Sequence, residues 1–203
     1  MILGNLFIIT AASGAGKTSL IKALLIEDPQ LKLSISHTTR HPRPGETNGV
    51  DYHFVDEATF MRMLSEDQFL ESALVHGAHY GTSLLSVDTP LASGADVILE
   101  IDWQGAKQVR RLYPQAISIF VLPPSMETLS LRLNSRGQDS QETIARRVTA
   151  ARSEMRHLTE FDYVTINDDF EVALQDIRAI MRAQRLKISA QLQRYATLIE
   201  ALI

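Results

Sequence analysis

The sequence predicts an α/β protein: a central parallel β-sheet with helices on both faces, in three layers. Four short runs, Leu6–Ile9, Val97–Ile101, Ile117–Leu122 and Tyr163–Ile166, are apolar without alternation, as in strands buried on both faces. Each is bounded by turn residues or by a helical pattern, and strand–helix alternation builds a layered parallel core. At 203 residues and 45% hydrophobic, the chain is long enough for one good core with small inserted lobes.

The first run is followed by TAASGAGKTS, positions 10 to 19, and then by LIKALLIEDP, which reads as a helix from about Lys17. Strand, glycine-rich turn and helix in this order form a phosphate loop, G-x-x-x-x-G-K-[ST]. Ala11 replaces the first glycine; Ala12, Ser13, Gly14, Ala15, Gly16, Lys17 and Thr18 complete the pattern, with Ser19 next. Gly14 and Gly16 let the backbone wrap around phosphate oxygens. The amides and the positive end of the helix favour an anion. Lys17 can reach the β and γ phosphates, and the Thr18 hydroxyl can ligate Mg²⁺. The loop implies a nucleoside triphosphate and leaves open whether it is hydrolysed, passed on or only held.

Residues 36 to about 90 break the strand–helix rhythm with turn formers such as HPRPGETNG, and a separate lobe is expected there. Arg40 and Arg43 flank a turn at Pro42, Pro44 and Gly45, and guanidinium forks grip phosphate at two points. Tyr52 and Tyr80 can add hydroxyl donors, although a solvated basic turn fits this segment equally well. Glu71, in DQFLESALVHG, and Asp102, in LEIDWQG, lie among apolar residues and need donors. The adjacent N1–H and N2–H of a guanine suit one carboxylate; a structural cap or an ion pair would also satisfy it.

Residues 125 to 156 are the second departure. They carry Arg132, Arg136, Arg146, Arg147, Arg152 and Arg156, and a helix is expected through ETIARRVTAARSEMRHL, capped by Asp139 or Ser140, with Glu142 in its first turn. Arg136 and Arg147 suit a segment that closes over a triphosphate and stabilises charge on a transferred phosphoryl group. Arg152 and Arg156 read as a solvated face. From 170 to 202 one or two helices are expected, with Leu174, Ile177, Met181, Ile188, Leu192, Tyr195 and Ile199 as a core or subunit-contact stripe that permits a homodimer.

The net charge of −4 argues against a nucleic-acid polymer as partner. Zero cysteines exclude disulfides and thiolate metal sites. The start MILGNLFIIT lacks the features of a signal peptide, and no apolar run approaches the roughly 20 residues of a membrane helix, so a cytoplasmic protein with no membrane partner is expected. There is no N-K-x-D guanine-reading motif and no recognisable water-positioning residue, as a GTPase switch would need. A second anion site, bridging cations and a water-excluding segment fit a kinase instead.

With these pieces together, the chain resembles guanylate kinases, enzymes that pass phosphate from ATP to GMP. The marks run end to end: SGAGKTS, SHTTRHPRPGE, DYHFV, FLESALVHG, HYGTS, ILEIDWQGA, IFVLPPS, SRGQDS and INDD. The loop is common, whereas SHTTR-x-P-R-P-G-E followed by YGTS and DWQG is highly specific. The resemblance implies a phosphate-loop kinase fold in a single domain, with the core at 1–35, 84–124 and 157–203, a GMP-binding lobe at 36–83 and a helical lid at 125–156. By the same resemblance, Ser36, Glu71, Thr82 and Asp102 read guanine, and Arg40, Arg43, Tyr52 and Tyr80 clamp the GMP phosphate. Residues 12–19 hold the ATP phosphates, Thr18 ligates Mg²⁺ with Glu100 nearby, Asn167 lies near adenine, and Lys17, Arg43, Arg136 and Arg147 surround the transferred group. The chain departs from the family at Ala12, where proline is common, at Glu100, where aspartate is common, and at Leu131 and Asn134, positions often basic in bacterial relatives. Two other readings share parts of this pattern: a related kinase acting on a sugar phosphate, and a non-catalytic guanylate-kinase-like module that binds phosphopeptides.

Overall fold

A computed structural model describes residues 4–75, 77–135 and 141–203. The chain begins with β1 (Leu6–Ala11), α1 (Lys17–Glu27) and β2 (Leu31–Ser34). It continues with β3 (His37–Thr38), β4 (His53–Phe54), α2 (Glu57–Ser65), β5 (Phe69–Val75) and β6 (Ala78–Ser83). Then come α3 (Leu84–Ala92), β7 (Asp96–Glu100), α4 (Trp103–Leu112), β8 (Ile117–Leu122), α5 (Met126–Ser135) and α6 (Gln141–Met155). A 3-10 turn (Arg156–Glu160), β9 (Tyr163–Ile166), α7 (Phe170–Arg185), α8 (Ile188–Arg194) and α9 (Ala196–Glu200) complete it.

The central sheet has the order β2-β7-β1-β8-β9, and every pairing in it is parallel. Strand β1 shows why the run Leu6–Ile9 is apolar, with the buried Thr10 paired to the Ile101 carbonyl. Phe7 and Ile9 pack with Leu20 and Leu24 of α1 and Ile177 of α7, while Leu6 and Ile8 pack with Val87 and Leu91 of α3 and Val109 of α4. Both faces are covered, so no position can be polar without a partner. The four expected strands are present, with β8 and β9 at the expected bounds.

Strand β2, LKLS, was not expected. It lies at the sheet edge with Lys32 exposed and Leu33 half-buried, so it lacks the continuous apolar signature. The second sheet, β4-β3-β6-β5, is mixed, and two of its strands are two residues long, too short to show a period.

Helices α5 and α6 pack on the loop after β1: Leu129, Leu133, Ile144 and Ala151 form one apolar cluster with Ala12. The helix expected through Leu158 ends at Met155 and tightens into the 3-10 turn. Its expected caps, Asp139 and Ser140, lie outside the described residues. The C-terminal segment forms three helices in place of one or two, because the chain breaks twice, at Leu186 and Lys187 and again at Tyr195. Leu174, Ile177 and Met181 of the stripe are core, whereas Ile188, Leu192 and Tyr195 are exposed.

Candidate active site

The loop between β1 and α1 opens at the C-terminal edge of the parallel sheet, where such folds place their ligands. Gly14 and Gly16 have φ of 93° and 98°, in the left-handed region. A Cβ on Gly14 would lie 3.0 Å from Leu133 Cγ, and one on Gly16 would run into the Asn167 amide. Gly16→Ala is therefore expected to destabilise the protein by about 1–2 kcal/mol, read as a lower urea midpoint. An unchanged midpoint would mean that the loop leaves its left-handed conformation at position 16 and that Asn167 gives way, both without cost.

Helix α1 has no side-chain cap and no acidic residue in its first turn. By contrast α2, α3, α4 and α7 are capped by Asp56, Ser83, Asp102 and Asp169. The first amides of α1 are thus left for an anion. Lys17 Nζ donates to the Ile101 carbonyl at 3.3 Å. The Thr18 hydroxyl donates to Glu100 Oε1 at 2.5 Å, which sets two hard oxygen ligands side by side. Behind the loop, Asn167 Nδ2 donates to the Ala15 carbonyl at 2.7 Å. Arg132 donates to the same carbonyl at 3.3 Å and to the Asn167 carbonyl at 3.0 Å. Asn167 and Arg132 brace the loop from its buried side.

The opposite wall comes from the second sheet and α4. Glu71 is 3% exposed and accepts from the Thr82 hydroxyl at 2.6 Å, and Ser36 Oγ lies 3.3 Å from Thr82 Oγ1. Burial pushes the Glu71 carboxyl up to about 7; the Thr82 bond opposes the shift, Asp102 adds to it and Lys17 reduces it. Gly105 leaves the carboxylate room that a Cβ would fill. Asp102 caps α4, accepting from the Gly105 amide at 2.9 Å and from Gln104 Nε2 at 3.1 Å. It serves as a structural cap and a cavity wall at once.

Arg40 donates to Glu46 Oε1 at 2.8 Å, to the Tyr80 hydroxyl at 3.3 Å and to the His41 carbonyl at 2.7 Å. The other Glu46 oxygen accepts from the Arg43 amide at 2.7 Å. One carboxylate thus sets the turn that carries both arginines. Burial would raise the Glu46 pKa, but the Arg40 bond and the Arg43 amide outweigh it and hold it below the usual carboxylate range. Tyr52 is pushed up by burial and by Glu100, so its hydroxyl keeps its proton.

Of the expected residues, Ala12, Ser13, Gly14, Gly16, Lys17, Thr18, Ser36, Arg43, Tyr52, Glu71, Tyr80, Glu100, Asp102 and Arg147 line one cavity between loop and lobe. Ala15, Ser19, Arg40, Thr82 and Asn167 are not on its wall, and Arg136 lies outside the described residues. Sequence reasoning missed Glu46 and Glu154. Glu154 lies two helical turns after Arg147, and that spacing is the only local hint that it shares a face with the arginine. At the far end of α6, the rings of Trp103 and His157 stack 3.6 Å apart at 6°. Among the described residues no group of three acidic or histidine side chains gathers to hold a metal alone.

An anion cradle and a buried carboxylate that can accept from a base therefore face each other across one cavity. The profile of the family described as Guanylate kinase matches residues 4–184. A guanylate kinase from Methylobacillus flagellatus is 66% identical over 200 residues, covering 98% of this chain and 99% of that one. Another, from Escherichia coli K12, is 52% identical over 205 residues, covering 100% and 99%. The crystal structure of guanylate kinase from Anaplasma phagocytophilum matches with a TM-score of 0.79 at 32% identity, covering 95% of this chain and 93% of that one. Because the similarity runs the whole length of the chain and not through its phosphate loop alone, this protein belongs to the guanylate kinase family.

Proposed function

We propose that the protein transfers the γ-phosphoryl group of ATP to GMP and dGMP, giving ADP and the nucleoside diphosphate. The observation that carries this reading is that Lys17 and Glu71 line the same cavity, one in the phosphate loop and one on the facing wall. A donor held by its phosphates and an acceptor held by its base would meet between them. The acceptor is itself an anion, so no side-chain nucleophile is needed. The work of the protein is to hold two anions in line and neutralise them. Lys17, Arg43 and Arg147 supply fixed positive charge there, with Arg136 as the further lid arginine of the reading.

Thr18 and Glu100 fit Mg²⁺ as hard oxygen ligands that would share it with the nucleotide. When bound, the ion neutralises charge on the donor phosphates. On the acceptor side, Glu71 takes the N1–H and N2–H of guanine; Ser36 and Asp102 complete the set from the cavity wall, and Thr82 fixes the orientation of the Glu71 carboxylate from behind it. Tyr52, Tyr80, Arg40 and Arg43 hold the acceptor phosphate. A wrong base leaves buried groups unpaired, at about 1–3 kcal/mol each. A sugar-phosphate kinase would have no use for the buried Ser36–Thr82–Glu71 chain, and a phosphopeptide module none for Lys17 and Thr18.

The reading carries a cytoplasmic place in purine nucleotide metabolism. Among the described residues no helix is long and apolar enough to cross a membrane. The exposed Ile188, Leu192 and Tyr195 leave room for a homodimer. The test is ADP formation from Mg-ATP with GMP, dGMP, AMP, UMP or no acceptor. Turnover with GMP and dGMP alone is expected. ADP released without an acceptor would make the protein a hydrolase, and no turnover from folded protein would return weight to the other readings.

A further inference from the structure

The lid helix holds Ser13 at two points. The Ser13 hydroxyl accepts from Arg147 Nε at 3.1 Å and Nη2 at 2.6 Å, and the Ser13 amide donates to Glu154 Oε2 at 3.2 Å. Arg147 and Glu154 stand two turns apart on α6, and both line the cavity that contains Lys17 and Thr18. The apolar cluster around Ala12 fixes the helix against the loop.

An arginine suits a phosphate cradle; a carboxylate there needs a reason. The loop is built of N–H groups that favour an anion, and Glu154 brings an anion to one of them. A carboxylate oxygen and a phosphate oxygen compete for a single donor, and their like charges repel at such range. The position of Ser13 indicates which phosphate competes. The amides at the start of α1, beside Lys17 and Thr18, take the inner phosphates. Ser13 lies before the glycine turn, next to the lid arginine, where the outermost phosphate of a donor would come.

We propose that Glu154 is an internal anion of the phosphate loop, exchanged for the terminal phosphate of the donor as ATP binds, and that it thereby sets the discrimination between ATP and ADP. The proposal rests on the kinase reading of the cavity. ATP displaces the carboxylate from the Ser13 amide and meets its charge. ADP lacks the terminal phosphate and leaves the Ser13–Glu154 bond in place. Glu154 therefore weakens ATP selectively, and after transfer it returns to the amide that the departing phosphoryl group has left. It is a positioning and specificity residue, with no bond to make or break in the reaction.

The test is direct binding, by calorimetric titration at fixed Mg²⁺, of ADP and of a non-hydrolysable ATP analogue with an imido bridge, to the wild type, Glu154→Gln and Glu154→Ala. The alanine variant is expected to bind the analogue about tenfold more tightly, the glutamine variant about threefold, with ADP within about twofold of wild type in both. An unchanged analogue-to-ADP ratio, or an equal loss of both affinities, would overturn the proposal and leave Glu154 as a brace of the lid. Thermal unfolding checks that each variant is folded, and the nearly isosteric glutamine carries the test if the alanine variant is not. Absence of phosphoryl transfer to GMP by the wild type would refute the kinase reading separately, without touching the ratio.

Discussion

Lys17→Ala is expected to lower phosphoryl transfer to GMP by on the order of 10³-fold while the protein stays folded. Lys17 is the first residue of α1, half-buried, and its side chain donates to one backbone carbonyl at 3.3 Å. Neither apolar core draws on it: the sheet is sealed by Leu20, Ile21 and Leu24 from the same helix. Removing the ammonium therefore costs about 1 kcal/mol or less in stability. Its loss from the reaction is larger, because a fixed cation beside the donor phosphates acts where water is excluded and cannot substitute for it. Coupled ADP formation gives the rate, and the thermal midpoint shows the fold. Turnover near the wild-type rate would remove the loop from the donor site. If the midpoint collapsed, Lys17→Met, which keeps most of the apolar stem, would separate charge from packing.

Glu71→Gln is expected to weaken GMP by about 10²-fold and leave ATP-analogue binding within about twofold. The amide keeps the shape and loses one acceptor oxygen and the charge. The pH behaviour gives a second, independent signature. In the folded protein the carboxyl titrates near 7, above its ordinary 4.5, so the fold favours the protonated form. That contribution to stability is fully present below about pH 4.5 and is lost as pH rises through about 7. Glu71→Gln removes this loss, so the variant gains stability relative to wild type at pH 8, by on the order of 2 kcal/mol. Guanine recognition runs the other way, since it needs the ionised carboxylate. GMP affinity of the wild type rises with pH through about 7, whereas the variant keeps only the rise that comes from ionisation of the GMP phosphate near pH ~6. Equal loss of GMP and ATP-analogue binding would show that Glu71 supports the cavity as a whole and does not read the base.

The elements legible in the sequence are those whose cause is local. Strands β1 and β8 are covered on both faces, and continuous burial writes continuous hydrophobicity. Strand β2 was hidden because an edge strand need not be apolar throughout. Lys17 and Thr18 are legible because a phosphate loop needs them at fixed spacing. Glu71 stands out as a carboxylate in an apolar run. Glu154 and Arg132 were not legible as partners of the loop, since their bonds to Ser13 and Ala15 span 141 and 117 residues. No period or motif records a contact over that distance. Resemblance named Thr82 and Asn167 among the nucleotide contacts, but orientation is a property of the fold. Thr82 turns its hydroxyl to Glu71, and Asn167 turns its amide to the loop.

The stack of Trp103 on His157 has an optical consequence. Trp103 is the only tryptophan in the chain, so all indole emission comes from one joint. That joint links the helix capped by Asp102 to the turn that follows α6. An imidazole in face contact quenches an indole, and most strongly when it is protonated. Separation of the two rings would brighten the protein, so any displacement of that turn from the start of α4 can be read in its own ultraviolet fluorescence, with no dye attached.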